Sequence, residues 1–243
     1  MARLRVVRVE ASDLVSDHGM VAPEFLFRHT THHVVKMFEA FIARDFTLDG
    51  SSVVQLTLGE RRDIDPAHIQ VLGVTESYVE AFDFAAYYAM SSARREEWIL
   101  ELIEDRLLHI ASMHGADPAP IRDAAAAVRR HGFMLEIERP KLARSLPGRR
   151  GRVRVYRQLA SSCAERWLAR LVDQTGHLVH EVVLKAGGPV DLRGHFHHSE
   201  VVLDSFVLKD DLDRLSISIS RLSELVADPS ADAQGSLVHP YGR

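Results

Sequence analysis

Apolar and polar positions alternate with a period of two near both ends of this chain and fall on helical stripes in its middle. Leu4 to Val9 alternates apolar and basic residues, which predicts a strand buried on at least one side. Asp17-His18-Gly19 marks a turn. From Thr31 to Phe46 the period lengthens: Val34, Met37, Phe38, Phe41 and Ile42 share one stripe, as in an amphipathic helix. The β-branched pair Val34-Val35 keeps a strand reading open there. Asp49-Gly50-Ser51-Ser52 reads as a turn, and Val53 to Leu58 as a strand stopped by Gly59. Ile69 to Val74 and Tyr78 to Phe84 read as two further strands, the second with Tyr78, Glu80, Phe82 and Phe84 on one face.

The central stretch is helical. Ser91 or Ser92 caps a helix running to about Met113, with Ile99, Leu102, Ile103, Leu107 and Ile110 as its stripe. Gly115 ends it. Asp117 then caps a second helix, with Pro118 in its first turn, where a missing N–H costs nothing. Ile121, Ala124, Ala125 and Val128 form its narrow apolar face, and Arg129, Arg130 and His131 complement the dipole before Gly132. A connection this short makes the two helices, over 91–131, an antiparallel hairpin.

Beyond Gly132 the alternation returns. Phe133 to Glu138 reads as a strand, Pro140 to Gly151 as a basic loop, and Arg152 to Gln158 as a strand. Trp167 to Val172 and His177 to Leu184 flank Asp173-Gln174-Thr175-Gly176 as a β-hairpin. Val201 to Leu208 and Leu215 to Ile219 follow as strands, and from Asp228 a small, polar tail is expected to fray. The layout predicts an α+β fold, with mixed or antiparallel sheets flanking a central helical hairpin and a β-rich C-terminal half. The expected organisation is an α+β region over 1–139, a β-rich region over 140–227 that either joins or stands apart from it, and a tail over 228–243.

Composition adds bounds. At 243 residues, 46% hydrophobic and 26% charged, the chain can bury a core without staples. No run approaches the roughly 18–20 apolar residues of a membrane span, so no membrane partner is expected. The basic N-terminus lacks an apolar signal region, and the single Cys163 excludes an intrachain disulfide; a reducing cytoplasm is the expected location.

Charge changes the picture more. The formal net charge is −4, from 30 Lys+Arg and 34 Asp+Glu. Arg139 to Arg157 carries eight of those basic residues (Arg139, Lys141, Arg144, Arg149, Arg150, Arg152, Arg154, Arg157) and no acidic one. The remainder holds 22 basic against 34 acidic residues, or −12. Charge segregated in this way builds a field that attracts an anionic surface. In a strand Arg150, Arg152 and Arg154 point one way and Val153 and Val155 the other. Such a row of guanidinium groups grips an acidic protein face or phosphates. The bland alternative is a solvated strand face. Only Tyr156 interleaves with the arginines, whereas single-strand binders add several stacking aromatics, so nucleic acid is the weaker functional reading.

Two histidine groups offer metal chemistry. In Gly194-His195-Phe196-His197-His198-Ser199-Glu200, extended backbone puts His195 and His197 on one face, and Glu200 can turn back toward them. Two imidazoles and a carboxylate can hold a divalent metal, for an enzyme or a sensor, although the position beside a Gly/Pro break equally suits a surface loop. His29, His32 and His33 form the second group; on a helix His29 and His33 lie one turn apart. There is no Gly-x-Ser-x-Gly elbow, Walker A loop, dinucleotide fingerprint or zincin motif, and Cys163 reads as a small buried hydrophobe. No catalytic residue is expected, and no cofactor beyond that metal.

The run Arg94-Arg95-Glu96-Glu97-Trp98-Ile99-Leu100-Glu101-Leu102-Ile103, then Leu107-Leu108-His109-Ile110-Ala111, Gly115-Ala116-Asp117 and Val128-Arg129-Arg130-His131-Gly132-Phe133, resembles uncharacterised bacterial α+β proteins of toxin-immunity loci. The resemblance covers chiefly residues 91–190 and is one of helix, turn, helix and a Gly-Phe step into β. It implies an inhibitor-type binding role and carries over no catalytic residue. Immunity proteins against nucleases present acidic faces; here the stretch is basic, so the implied target has an acidic surface, or the acidic remainder makes the contact. The reading is of a macromolecule-binding protein with a protein partner, a toxin in its most concrete form, contacted by Arg149, Arg150, Arg152 and Arg154. The alternatives are a metal-dependent enzyme or sensor using His195, His197 and Glu200, and a nucleic-acid-associated protein using residues 139–157.

Overall fold

The computed structural model describes residues 2–11, 23–59, 68–79, 82–147, 151–185, 196–202, 205–209, 214–218 and 238–240. The chain divides into two compact units, one of residues 1–135 with 159–164, the other of 136–158 with 165–243. It is α+β.

In the first unit β1 (Val6–Ala11), β2 (Val53–Leu58), β3 (His68–Val71) and β4 (Val74–Val79) form a sheet of order β1-β2-β4-β3. β1, β2 and β4 run parallel, and β3 alone is antiparallel, to β4. The parallel β1–β2 pair is possible because helix α1 (Pro23–Phe41) lies between them in the chain as a crossover. α1 starts earlier and ends earlier than its stripe predicts. It packs on β1 and also against α3 (Ser92–His114) and α4 (Ala119–Arg130), so residues 31–38 are all buried.

A helix covered all round must satisfy its polar side chains internally. His33 Nε2 lies 2.8 Å from Glu96 Oε1 of α3. Lys36 Nζ donates to both oxygens of Glu39 at 3.0 Å, and Glu39 Oε1 accepts the Val7 N–H at 2.9 Å. A buried carboxylate thus occupies a main-chain donor of β1, an edge strand of the sheet.

α3 follows its sequence signals closely. Ser91 Oγ accepts the Arg94 N–H, and Gly115 ends the helix at φ +68°. α4 starts one residue later than expected, with the Asp117 carboxylate on the Ala119 N–H. The expected strand from Tyr78 to Phe84 is corrected: β4 ends at Val79, and Phe84–Ala89 is a short helix, α2. Asp83 caps it by accepting the Ala86 N–H at 2.9 Å. Phe82, Phe84 and Tyr87 pack edge-on around Phe27, so aromatic burial, not strand alternation, places them. Tyr87 is 1% exposed, with Thr30 Oγ1 3.0 Å from its hydroxyl. Burial pushes its phenol up to about 12.

The second unit begins as β5 (Leu135–Glu138) leaves the first. β7 (Arg152–Ala160), β8 (Ala164–Val172) and β9 (Leu178–Lys185) complete a sheet of order β5-β7-β8-β9, with the short β6 (Arg144–Ser145) on β7. The basic loop expected over Pro140–Gly151 contains a 3₁₀ turn at Pro140–Leu142 as well as β6. The expected β8–β9 hairpin is present; Asp173 Oδ1 accepts the Thr175 and His177 N–H groups, and Gly176 takes φ +89°.

A second antiparallel sheet, β10 (His198–Val202), β11 (Ser205–Lys209), β12 (Arg214–Ser218) and β13 (Val238–Pro240), follows. The single strand expected over Val201–Leu208 is corrected to a hairpin, with Val202 opposite Ser205. The tail expected to fray from Asp228 contains β13, whose Val238 pairs with Ile217. Trp167, Phe196, Phe206 and Leu208 join Val153 and Val155 in the core of this unit.

Candidate partner-binding face

β7 carries the C-terminal part of the basic stretch, and its burial alternates strictly from Arg152 to Leu159. Val153 and Val155 are buried, and Arg152, Arg154 and Tyr156 lie on the opposite face. That much of the expected arginine row is present; Arg149 and Arg150 lie outside the described residues.

Strand alternation also sends Arg157 to the core face, which its place in the basic run does not reveal. It is 3% exposed. Its Nε and Nη2 donate to the two oxygens of Glu165 at 2.9 and 2.6 Å, and Trp167 Nε1 donates to the same carboxylate at 3.2 Å. Arg144 is also structural: Nε donates to Ser199 O, and Nη1 to Lys141 O and Ala143 O. Arg157 is thus closed off from a ligand, and Arg144 is tied to main-chain carbonyls of its own unit.

The outer face is organised by Arg170 of β8. Its guanidinium donates to both Glu136 oxygens and to Glu181 Oε2 and lies over the Tyr156 ring, 4.4 Å from the centroid. Its hydrogen bonds to Glu136, then to Glu181, hold its pKa above the ordinary arginine range against the opposing effect of burial. Arg154 stands 3.9 Å from Glu138 and its side chain is 35% exposed. Arg152 is exposed, and its side chain has no hydrogen bond or ion pair among the described residues. The face therefore carries paired Arg and Glu with a stacked tyrosine, and ends in Arg152, whose side chain is unpaired among the described residues. Glu136 and Glu138 read in the sequence as a candidate carboxylate pair; sequence reading missed Arg170 and Glu181 beside them, because register between distant strands brings these residues together. The alternation of Arg166 and Arg170 with buried residues of β8 was the signal available.

The histidine sites look different in space. Glu200 Oε1 is held by Lys209 Nζ at 2.5 Å, and the His198 imidazole, two residues away on the same strand, lies 3.9 Å from the same carboxylate. His197 is exposed, just before β10, and its N–H donates to Lys209 O. His195 lies outside the described residues. On α1, His33 is engaged with Glu96 and not with His29. Among the described residues no three His, Cys, Asp or Glu side chains are grouped to hold a metal ion, and no helix is long and apolar enough to cross a membrane. No known protein family, curated protein or solved structure matches this chain.

Proposed function

We propose that this protein acts by binding another protein through the outer face of the β5-β7-β8-β9 sheet, and that a toxin it neutralises is the most concrete form of that partner. The observation that carries this reading is the exposed Arg152, whose side chain is unpaired among the described residues, beside Arg154 and the Tyr156–Arg170 stack. Arg and Tyr are the side chains that anchor protein interfaces. A guanidinium already fixed by two carboxylates loses little further freedom on binding. Glu136, Glu138 and Glu181 repel a polyanion and suit a protein surface of mixed sign with carboxylates opposite Arg152 and Arg154.

The test is a tagged pull-down from native-source lysate, with and without nuclease, comparing the wild type with a variant carrying Arg→Glu at 149, 150, 152 and 154. One stoichiometric protein, retained after nuclease and lost in the variant, supports the reading and names the partner. Nuclease-sensitive recovery of many proteins moves the assignment to nucleic acid. Recovery that is the same in both chains removes this face from the function.

A further inference from the structure

β1 lies at one edge of the first unit's sheet. The Val6 N–H donates to Ser52 O, so Val6, Arg8 and Glu10 turn their main-chain groups toward β2. Val7, Val9 and Ala11 turn theirs the other way, toward the side on which a further strand would pair. A row of main-chain groups at a sheet edge is a template for another chain, and folds blunt it. On β1 the blunting group is a carboxylate. Glu39 Oε1 accepts the Val7 N–H at 2.9 Å, where a neighbouring strand would offer a carbonyl.

Glu39 comes from the end of α1, and its side chain is 3% exposed. Lys36 Nζ meets its charge, donating to both oxygens at 3.0 Å from a side chain 9% exposed. A buried ion pair adds little net stability over an apolar pair of similar volume, so stability alone does not account for this one. An apolar residue at 39 would, however, leave the Val7 donor open. β1 is also suited to pair with itself. Set antiparallel about Val9, two copies place Val7 opposite Ala11, and Arg8 opposite Glu10 twice. Arg8 and Glu10 share the face opposite the buried Val7 and Val9, and opposite charges directly across such a pair attract. Arg28 also contacts Glu10, at 2.9 Å, so Arg8 of a second copy would share that carboxylate. In this register the Val7 N–H would donate to Ala11 O of the second copy, which is the bond that Glu39 pre-empts.

We infer that Glu39 guards the sheet edge: it occupies the Val7 N–H so that a second copy of this chain cannot add its own β1 there. Lys36 supports the guard by neutralising a carboxylate that is shut off from water. The guard lies in the first unit and does not rest on the Arg152–Arg154 face.

The test compares full-length variants by sedimentation over a range of concentrations, with circular dichroism as the check on folding. Lys36→Met/Glu39→Leu removes the acceptor and leaves no buried charge of this pair uncompensated. It is expected to associate one step beyond the wild type, in a concentration-dependent way. Lys36→Met/Glu39→Gln removes the same charges but keeps a side-chain carbonyl for the Val7 N–H, and is expected to sediment as the wild type does. Arg8→Glu added to the leucine variant sets like charges across the pair twice and should weaken its association roughly tenfold. Lys36→Met/Glu39→Met takes the place of the leucine variant if that chain does not fold. An open-edge variant that sediments as the wild type overturns the inference, as does a glutamine variant that associates equally or an association that Arg8→Glu leaves unchanged. If neither open-edge variant folds, the pair is a requirement of folding and the inference is equally overturned.

Discussion

Arg154 and Arg157 stand three residues apart in one basic run and on one strand, yet they share nothing but residue type. Arg157 faces the core and is fixed bidentately by Glu165; Arg154 faces outward, 3.9 Å from Glu138 and a third exposed. The difference is set by strand parity alone. Charge clustering along a sequence therefore counts residues that a fold then assigns to opposite faces, one buried against a carboxylate and one open to water.

The sharpest way to break this contrast is to remove one side of the buried pair. Glu165→Leu leaves the Arg157 guanidinium and the Trp167 indole N–H without that acceptor. The expected cost is about 3–5 kcal/mol in denaturant unfolding followed by Trp167 fluorescence in a Trp98→Phe background. Adding Arg157→Met should recover most of the loss, since an apolar pair of similar volume removes the uncompensated charge. If the single change costs less than about 1 kcal/mol, Arg157 is not held as described.

Gly151, which leads into β7, tests the inner face from the backbone side. Its φ is +119°, and an added Cβ would lie 2.2 Å from Val172 O. Gly151→Ala is expected to cost about 3 kcal/mol, because a backbone carbonyl cannot move aside as a side-chain tip can. The same unfolding measurement reads it.

The first unit buries a polar group by the opposite device, keeping it neutral although Arg95 lies 6.0 Å from its ring centroid. Tyr87 is kept neutral, its pKa raised from the ordinary 10 to about 12. Between those values the unfolded chain ionises and the folded one does not. Stability is therefore intact below pH 10 and falls by roughly 2–3 kcal/mol as pH rises to 12. Tyr87→Phe should flatten that part of the stability–pH curve, and an unchanged slope would place the titration elsewhere.

What the sequence made legible follows the same line between local and distant causes. α3 could be read almost to the residue, because Ser91, an apolar stripe and Gly115 are all local signals. So could the alternation of β7 around Val153 and Val155. The Leu72-Gly73 turn was hidden because leucine is not a turn residue, so β3 and the start of β4 read as one strand. α2 was hidden because aromatic residues at 78–84 suit a pleated face until Phe27 is known to be their neighbour. The outer ladder of Glu136, Arg170 and Glu181 spans 45 residues of sequence and became visible only with the strand register.

The smallest expected effect closes the contrast from the outer side. Arg152→Glu reverses a charge that has no partner among the described residues, so no hydrogen bond is broken and no group is left buried. The change should move stability by no more than about 0.5 kcal/mol. Arg154→Glu brings a second carboxylate toward Glu138 and should cost somewhat more, still below about 1 kcal/mol, because both side chains reach water. Raising salt should erase that small difference, since exposed like charges are screened while the Arg157–Glu165 pair is not. A loss for Arg152→Glu comparable to that for Glu165→Leu would mean that this outer face is covered within the folded chain. The distinction between an arginine that holds and an arginine that waits would then fail at the position where it is drawn most clearly.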